Sequence, residues 1–325
     1  MKKPVLVILN PEASGLRKNP ALLSRLRVFP ALDEAEIVVA SHPDQARKLA
    51  VTAREDGREI VAVAGGDGTV HDVVNGLLTD MAPDAMPPPQ DLPALAVLPL
   101  GTGNDLARSL GLSDDLQDVL RGLDASGTRT MDLIWVEGEG GKEARWCLNM
   151  VTGGAVGREG TTPEAEAKEA WGILAYVRQG VETLEEGIPA YDLSLRLDDG
   201  EVLESRALNL LLGNGRFTGG GLPVTPTAYL DDGLADLIVV PELHLSEMAV
   251  LTSLLLVGRH TDHESLKTRR VREVEMTSDP PLDLNLDGEP GRMAEACFEV
   301  VPGALRVVVG EEPDRAFEEP DAVEE

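Results

Sequence analysis

The chain has 325 residues, enough for two modest domains or one large one. Apolar residues make up 42% of the sequence and aromatic residues only 3%, so aliphatic side chains must form most of any core. The 29 basic and 57 acidic residues give a formal net charge of −28. This balance argues against nucleic acid as a partner and against nonspecific attraction to an anionic membrane surface.

The cysteines and the longest apolar segments indicate where the protein resides. Cys147 and Cys297 fall in apolar, strand-like runs far apart in the sequence, which favours buried thiols over a disulfide. The N-terminal segment lacks the long apolar region of a signal peptide. The longest apolar stretch, residues 248–257, is about half the length that a membrane-spanning helix needs. We therefore expect a cytoplasmic protein whose membrane contact is peripheral.

The first 130 residues alternate strand and helix signals. Short continuous apolar runs occur at residues 5–9, 37–40, 60–64 and 95–98, as is typical of strands buried on both faces of a parallel sheet. Segments with helical spacing of their apolar residues lie between them. This order predicts an open, mostly parallel α/β domain over residues 1–130. Residues 81–93, rich in proline, are predicted to form a surface loop.

After residue 130 the pattern changes to strands in succession. Runs typical of strands occur at 131–136, 146–151, 191–197, 207–212, 237–240, 271–276, 282–286, 297–301 and 305–309. Helical patterns interrupt them at 163–184 and 246–257, and core packing or the wall of a lipid cleft would explain these apolar helices equally well. The pattern predicts a second, mainly antiparallel domain over residues 131–303. The acidic tail, residues 311–325, is expected to fray or to be disordered.

A glycine-rich loop joins the third predicted strand to a helix. Three glycines, Gly65, Gly66 and Gly68, allow a tight turn and a close approach to a ligand. Thr69 can cap the helix, whose N-terminal N–H groups favour a bound phosphate. Asp67 suits such a site if Mg²⁺ lies between its carboxylate and the phosphate. The alternative is a tight turn with a solvated aspartate.

Two more loops follow strands of the same sheet, at residues 10–15 and 99–106. In a parallel sheet all three loops emerge at the carboxyl edge, where ligands bind. Together they predict a nucleotide phosphate site built from backbone amides. The P-loop signature, the Rossmann fingerprint and the nucleophile elbow of serine hydrolases are all missing from the sequence.

Two acidic turns lie in the strand-rich part of the chain. In residues 284–289 a strand ends in Asp287 and Glu289, and either carboxylate could take a proton from an attacking hydroxyl group. Taken alone, this segment is more typical of an Asp-Gly hairpin turn. Residues 229–234 offer backbone carbonyl groups next to a carboxylate, which could hold Mg²⁺. Taken alone, that segment too is more typical of a turn.

The combined motifs resemble the diacylglycerol kinase catalytic family, which includes bacterial diacylglycerol kinases and related lipid kinases. The resemblance spans nearly the whole chain to about residue 310. It implies an α/β nucleotide domain and a β-sandwich-like domain with the active site in the cleft between them, and a last strand, residues 304–310, that returns to the first domain. The motifs are residues 65–69, 101–105, 219–221, 230–233 and 287–289.

The resemblance also assigns roles to individual residues. Glu289 matches the proton acceptor, with Asp287 as the rival, and Asp67 belongs to the catalytic loop. His71 stands where relatives often carry Asn, and the loop at residues 10–15 is one residue longer than usual. Tyr229, Asp232 and Leu234 match a structural Mg²⁺ site. The residues expected to contact ATP are Asn10, Pro11, Glu12, Ala13, Ser14, Ser41, Gly65, Gly66, Asp67, Gly68, Thr69, Val70, His71 and Thr102.

The expected function is that of an ATP- and Mg²⁺-dependent lipid kinase that phosphorylates diacylglycerol or a related lipid. The alternatives are an NAD-kinase-like enzyme with a small-molecule substrate and a lipid- or nucleotide-binding module without activity. The expected partners are a lipid substrate and a membrane surface but no nucleic acid, and the oligomeric state stays open, with a homodimer as one option. If binding needs anionic membranes, Lys267, Arg269, Arg270 and Arg272 are the candidate basic patch.

Overall fold

The structure is a computed structural model that describes residues 5–27, 32, 35–113, 116–125, 127–154 and 189–309. The chain forms two compact units. The first comprises residues 1–133, 230–232 and 301–325, and the second comprises residues 134–229 and 233–300. The first unit thus ends three residues beyond the predicted boundary, and it includes the short segment 230–232, which no sequence pattern indicated. The predicted helix at 163–184 and the acidic tail lie outside the described residues.

The first unit contains a parallel sheet. Its strands have the order β4-β3-β1-β2, and the end of a long C-terminal strand, β15, pairs in parallel with β4 through Val307 and Leu95. The four runs predicted in this part of the sequence therefore form strands. The runs in β1, β3 and β4 are buried on both faces of the sheet, whereas the edge strand β2 is partly exposed. The strands are β1 Val5–Leu9, β2 Glu36–Val39, β3 Ile60–Gly65, β4 Ala94–Pro99 and β15 Glu289–Val308.

Helices pack on this sheet. They are α1 Ser14–Lys18, α2 Ala21–Arg27, α3 Pro43–Glu55, α4 Asp67–Leu77, α5 Asp105–Ser109 and α6 Leu116–Ala125. Helix α4 lies close to α3, since a Cβ atom on Gly76 would stand 2.5 Å from the carbonyl oxygen of Arg47. The proline-rich segment 81–93 holds two single turns of 3₁₀ helix rather than a fully irregular loop, at Pro83–Ala85 and Pro89–Asp91.

The second unit is mainly antiparallel. Antiparallel pairs join its strands in the order β13-β12-β9-β7-β14-β15, and β8 pairs with both β9 and β14. Strand β5 begins in the first unit and continues into the second. The strands are β5 Thr128–Gly138, β6 Arg145–Cys147, β7 Met150–Gly154, β8 Tyr191–Leu197, β9 Val202–Gly213, β10 Phe217–Thr218, β11 Leu222–Pro223, β12 Ala235–Pro241, β13 Lys267–Val271 and β14 Glu273–Leu286.

Three of the predicted strand boundaries in this unit were wrong. The run at 146–151 is split into β6 and β7, because the backbone at Leu148 and Asn149 leaves the sheet and binds a side chain instead. The run at 271–276 spans the end of β13 and the start of β14, and β14 continues through 282–286. The runs at 297–301 and 305–309 belong to the single long strand β15.

Both faces of β9 and β12 are buried, and α7 Leu245–Leu255 covers one of them. Leu210 and Leu212 of β9 lie in the larger core of the unit, whereas Leu211 points to the opposite face and packs with Met248 of α7. Leu208 joins this second cluster at the point where the pairing of β9 with β12 shifts register. This alternation explains why these strands read as continuous apolar runs. Among the described residues no helix is long and apolar enough to span a membrane.

Candidate active site

Three loops meet at the carboxyl edge of the parallel sheet in the first unit. They follow the neighbouring strands β1, β3 and β4, as the sequence predicted. The amide of Gly15 donates to the carbonyl oxygen of Leu100 at 2.9 Å, and the Thr102 hydroxyl donates to the Ser14 hydroxyl at 3.2 Å. The loops after β1 and β4 are therefore connected directly, through both backbone and side chains.

The loop after β3 leads directly into α4. Gly66 is the N-cap of this helix, and the N–H groups of the first turn, residues 67–69, precede its first backbone hydrogen bond, from the Val70 N–H to the Gly66 carbonyl oxygen. Together with the helix dipole they favour an anion at this end. Thr69 does not cap the helix, contrary to the sequence prediction. Its hydroxyl lies in the first turn and accepts a hydrogen bond from the side-chain amide of Asn10 at 2.9 Å, which joins this loop to the one after β1.

Glycine is required where the loops after β3 and β4 approach each other. A Cβ atom on Gly101 would stand 2.4 Å from the Cα of Gly66, and one on Gly66 would stand 3.0 Å from the Cα of Gly101. Asn104 shapes the same loop, with its backbone in the left-handed region (φ 53°) and its Oδ1 accepting from the Gly101 amide at 2.8 Å. Sequence reasoning gave Asn104 no individual role, although it lies within a motif that carried the resemblance.

The carboxylate of Asp67 connects the start of α4 to the start of α5. One oxygen accepts from the backbone N–H of Asp105 and the other from that of Leu106, each at 3.1 Å. Asp67 therefore caps a helix 38 residues further along the chain. The Asp67 side chain thus has a structural role that the sequence did not indicate. Its role beside Mg²⁺ stays a prediction.

The three loops hold no lysine and no arginine at residues 10–15, 65–71 or 99–105. Val70 and His71, predicted to contact ATP, lie inside α4 with only 2% of their surface exposed, and the Val70 amide is already bonded to the Gly66 carbonyl. We therefore expect these two residues to support the loop from behind. Within these loops phosphates would meet backbone amides and hydroxyl groups, and a cationic group outside the loops, the guanidinium of Arg108, donates to the Gly103 carbonyl oxygen at 3.1 Å.

The remaining predicted nucleotide contacts lie at the same edge. Asn10 follows β1, and its Oδ1 accepts from the Glu12 amide at 2.9 Å, which sets the shape of the loop. Ala13 is buried, whereas Glu12 is exposed. Ser41 is exposed and follows β2, which pairs in parallel with β1. The structure thus places these residues on neighbouring strand ends, and their contact with ATP stays a prediction.

In the second unit Asp287 and Gly288 form a two-residue hairpin turn between β14 and β15. The residues on either side of the turn, Leu286 and Glu289, are paired in the antiparallel ladder. Both turn residues have positive φ, 54° for Asp287 and 102° for Gly288, as a type I′ turn requires. The hairpin interpretation of the sequence is confirmed, and it places Glu289 at the first position of β15.

The side chain of Asp287 is occupied by backbone amides. Its carboxylate accepts from the N–H groups of Leu148, Asn149 and Met150 at 2.6, 2.9 and 3.0 Å. All three donors belong to buried residues. A carboxylate that accepts three N–H bonds is held in its charged form and is a poor proton acceptor. The geometry therefore favours Glu289, which is partly exposed, as the base.

Two asparagines that sequence reasoning missed hold the same corner together. Asn149 donates from Nδ2 to the Phe217 carbonyl oxygen at 2.7 Å, and Asn214 donates to the Leu148 carbonyl oxygen at 2.7 Å. They connect the backbone bound by Asp287 to the small hairpin around residues 219–221, where all three glycines have positive φ. An asparagine at the end of an apolar strand run was the only available signal.

The two thiols are unsuited to nucleophilic chemistry. Burial raises the pKa of Cys147 well above its usual value, and the negative charge of Asp287 raises it further. Burial, with the nearby Glu273, raises the pKa of Cys297 to about 12. Both cysteines are free, and both remain protonated near neutral pH.

The proposed metal turn, residues 229–234, offers hard oxygen donors. Gly233 has a φ of 73°, and the guanidinium group of Arg216 lies 5.1 Å from the centre of the Tyr229 ring. One carboxylate, on Asp232, and the carbonyl groups of Tyr229 and Leu234 form a donor set of the kind that binds Mg²⁺ together with water. These donor types suit the ion, and its binding here stays a prediction; in the described part of the chain no cluster of three metal-ligating side chains occurs.

A small apolar cavity lies beside α7 in the second unit. Its two polar members are Thr252, whose buried hydroxyl has no hydrogen-bond partner, and His260, whose Nε2 lies 2.7 Å from the Val224 carbonyl oxygen. Burial lowers the pKa of His260 below its ordinary value of 6.5, so the ring is neutral in this apolar setting. The cavity is lined by Leu211, Ile238, Val240, Leu251, Thr252, His260 and Leu266.

The amino-acid sequence matches two protein families. Residues 4–136 match the family described as "Diacylglycerol kinase catalytic domain" and residues 159–309 match "YegS C-terminal NAD kinase beta sandwich-like domain". The "Probable lipid kinase YegS-like" of Stenotrophomonas maltophilia is 33% identical over 277 residues, which cover 84% of this chain and 86% of the relative. The "Diacylglycerol kinase" of Staphylococcus saprophyticus is 29% identical over 294 residues, 90% of each chain.

Solved structures share the fold. A diacylglycerol kinase from Bacillus anthracis superposes with a TM-score of 0.69 at 19% identity, covering 95% of this chain and 97% of that one. Yeast NADH kinase in complex with NADH gives a TM-score of 0.51 at 14% identity, covering 97% of this chain and 85% of that one. These matches confirm the predicted combination of an α/β domain with an antiparallel β-sandwich-like domain, and the likeness to NADH kinase concerns the fold alone.

Proposed function

Since the chain belongs to the family of lipid kinases that share the diacylglycerol kinase catalytic domain, we propose that it transfers the γ-phosphoryl group of ATP to the hydroxyl group of a lipid. The acceptor is diacylglycerol or a related lipid, and the reaction requires Mg²⁺. In the transfer, the bond between the γ-phosphorus and the bridging oxygen of ADP breaks as the lipid oxygen attacks, and the proton of the hydroxyl group passes to a carboxylate.

The observation that carries this proposal is the set of three connected loops at one edge of the parallel sheet. The bonds from Asn10 to Thr69, from Gly15 to Leu100 and from Asp67 to the start of α5 fix the loops relative to one another before any ligand binds. Such preorganised amides at the N-terminus of α4 bind phosphate oxygens without reorganisation. This supports a nucleotide phosphate site.

The lack of basic side chains in the loops supports the need for Mg²⁺. Residues 10–15, 65–71 and 99–105 contain no lysine or arginine, and they contain Glu12, Asp67 and Asp105. Backbone amides alone would leave most of the charge of a triphosphate uncompensated beside these carboxylates. When bound, Mg²⁺ supplies the missing positive charge. A separate Mg²⁺ with a structural role would be held by Tyr229, Asp232 and Leu234.

The proton acceptor in the proposed reaction is Glu289. Its neighbour in the turn, Asp287, uses both carboxylate oxygens to bind the amides of residues 148–150 and thereby fixes the hairpin on which Glu289 lies. Asp287 is therefore a positioning residue in this proposal. The two carboxylates, although only two residues apart, have different tasks because their surroundings differ.

The cavity beside α7 is apolar, but with a volume of about 10 Å³ it has room for only about one water molecule. Its lining consists of aliphatic side chains from β9, β12 and α7, with only Thr252 and His260 adding polar atoms. The cavity is too small to hold a hydrocarbon chain or a dinucleotide, so the lipid acceptor in this proposal rests on the family. The sequence left open whether α7 packs on the core or borders a lipid cleft. The helix packs on the core through Met248 and Leu255, and its Leu251 lines the cavity.

The decisive experiment offers the purified protein γ-labelled ATP and Mg²⁺ with diacylglycerol in mixed micelles. We expect label to appear in phosphatidic acid, identified by mass, and to disappear when Mg²⁺ is chelated. Parallel reactions with NAD and with other lipid alcohols test the rival acceptors. Formation of NADP without any labelled lipid would refute the proposal in favour of an NAD-kinase-like enzyme, and no transfer to any acceptor would indicate a binding module.

A further inference from the structure

The outer face of α7 is apolar although it is exposed. From residue 248 to residue 258 the sequence contains no charged side chain, in a chain with 57 acidic and 29 basic residues. The inner side of the helix is buried, as expected for packing on the sheet. The exposed side chains on the opposite side of α7 and in the turn that follows it, here called the outer face, are Ala249, Val250, Ser253, Leu256 and Val257, of which the last two lie beyond the end of the helix at Leu255.

An apolar outer face is unusual for a helix on a protein surface. Surface helices carry charged or polar residues toward water, and a helix that is apolar all round is normally enclosed. Val250 is 49% exposed, Leu256 59% and Val257 66%. In the part of the chain that the structure describes, these are three of the five large hydrophobic side chains that are exposed, and they lie within eight residues of one another.

We infer that the outer face of α7 inserts into a lipid bilayer. The face is too small for a stable contact with a second copy of the chain: its three large side chains expose on the order of 200 Å², whereas a standard protein interface buries about 800 Å² on each partner. Shallow insertion of a few aliphatic side chains at the headgroup boundary needs no such area.

The charges around this face favour a zwitterionic bilayer. The first charged side chain after the face, Arg259, lies 3.4 Å from the carboxylate of Asp262, so it adds little net charge. Two of the four residues of the basic patch suggested by the sequence are paired with carboxylates: Arg269 binds both oxygens of Glu201, and Arg270 lies 3.5 Å from Asp236. A third, Lys267, donates to the backbone carbonyl oxygen of Glu204. With a net charge of −28, the protein as a whole is repelled by anionic lipids.

The position of this face also links it to the proposed reaction. Leu251 and Thr252, on the inner side of the same helix, line the apolar cavity. Insertion of the outer face would therefore place the cavity within one helix diameter of the acyl chains of the bilayer. This link rests on the proposed lipid kinase function, whereas insertion itself depends only on the exposed side chains.

The test compares two charged variants in flotation with phosphatidylcholine vesicles. The double variant Val250→Glu, Val257→Glu changes the outer face, and Val202→Glu changes another exposed valine, on β9, by the same chemistry. We expect the wild type and Val202→Glu to float with the vesicles. The affinity of the double variant for the vesicles should be at least about tenfold lower. Glutamate is a good helix former, so α7 should remain folded, which circular dichroism and the unfolding midpoint will verify.

Activity separates this inference from the proposed function. Phosphorylation of diacylglycerol in vesicles should fall in the double variant, while phosphorylation of a short-chain diacylglycerol dispersed as monomers should not. Equal vesicle binding by the wild type and the double variant would overturn the inference. So would binding that requires anionic lipid and disappears in salt, or a dimer in sedimentation that the double variant dissociates. A lack of kinase activity with vesicle binding lost only in the double variant would leave the inference standing and refute the proposed function.

Discussion

The assignment of Asp287 as a positioning residue leads to a prediction about stability. The substitution Asp287→Asn keeps the oxygen that accepts from Asn149 and Met150, at 2.9 and 3.0 Å, and puts an NH₂ group where the other oxygen accepts from Leu148 at 2.6 Å. Asparagine tolerates the positive φ of this turn, so the backbone is not strained. The variant loses one charge-assisted bond and leaves a buried N–H unpaired, which should lower the free energy of unfolding by about 2–3 kcal/mol.

The full truncation Asp287→Ala should be more severe. It leaves three buried N–H groups without an acceptor, at about 1–3 kcal/mol each, so we expect a loss of roughly 3–6 kcal/mol. A domain of this size is stable by about 5–15 kcal/mol. We therefore expect the alanine variant to be partly unfolded, and asparagine is the more informative change. Urea unfolding followed by circular dichroism measures both.

The matched control is Glu289→Gln, which removes the same charge two residues away. Glu289 is partly exposed at the start of β15, so its unfolding free energy should stay within about 0.5 kcal/mol of the wild type. Lipid phosphorylation should nevertheless be lost, because the proton acceptor is gone. An Asp287→Asn variant as stable as the wild type but inactive, together with an active Glu289→Gln variant, would refute the reasoning and make Asp287 the base.

Three further predictions concern the loops and the cavity. Gly101→Ala should destabilise the protein by about 1–3 kcal/mol, because its Cβ would stand 2.4 Å from the Cα of Gly66. Gly68→Ala, whose Cβ meets no atom within 4 Å, should keep the fold and weaken only ATP binding. Equal unfolding midpoints for the two variants would contradict this. Asp67→Ala should abolish lipid phosphorylation and lower stability by about 1–2 kcal/mol through loss of the cap on α5, so full activity in the folded variant would remove Asp67 from the mechanism. The pKa of His260 is lowered in the folded protein, so near pH 6.5 the histidine of the unfolded chain takes up a proton while that of the folded chain does not. The stability that this group contributes is therefore complete above about pH 6.5 and is lost as the pH falls toward the lowered pKa. His260→Gln should flatten the decline in unfolding free energy between about pH 7 and pH 5, and an unchanged slope would show that His260 is not buried as a neutral ring.

The sequence alone predicted the elements that depend on neighbouring residues. Apolar runs of strand length between helical patterns indicated the parallel sheet, because strands buried on both faces leave that signature locally. The glycine-rich loop at 65–68 and the Asp-Gly turn at 287–288 were readable for the same reason: each needs particular residue types within a few positions. The order of the motifs along the chain also carried the resemblance to the lipid kinase family.

The tertiary structure decided which partners those residues have. Asp67 binds amides 38 and 39 residues away, and Asp287 binds amides 137 to 139 residues away. No local pattern encodes such distances, because they depend on the pairing of strands that are remote in sequence. The same pairing fixed Glu289 at the start of β15 and left the outer face of α7 exposed. The sequence thus identified the carboxylates and the apolar helix, and long-range packing determined which carboxylate is held by amides, which remains accessible, and which side of the helix meets solvent.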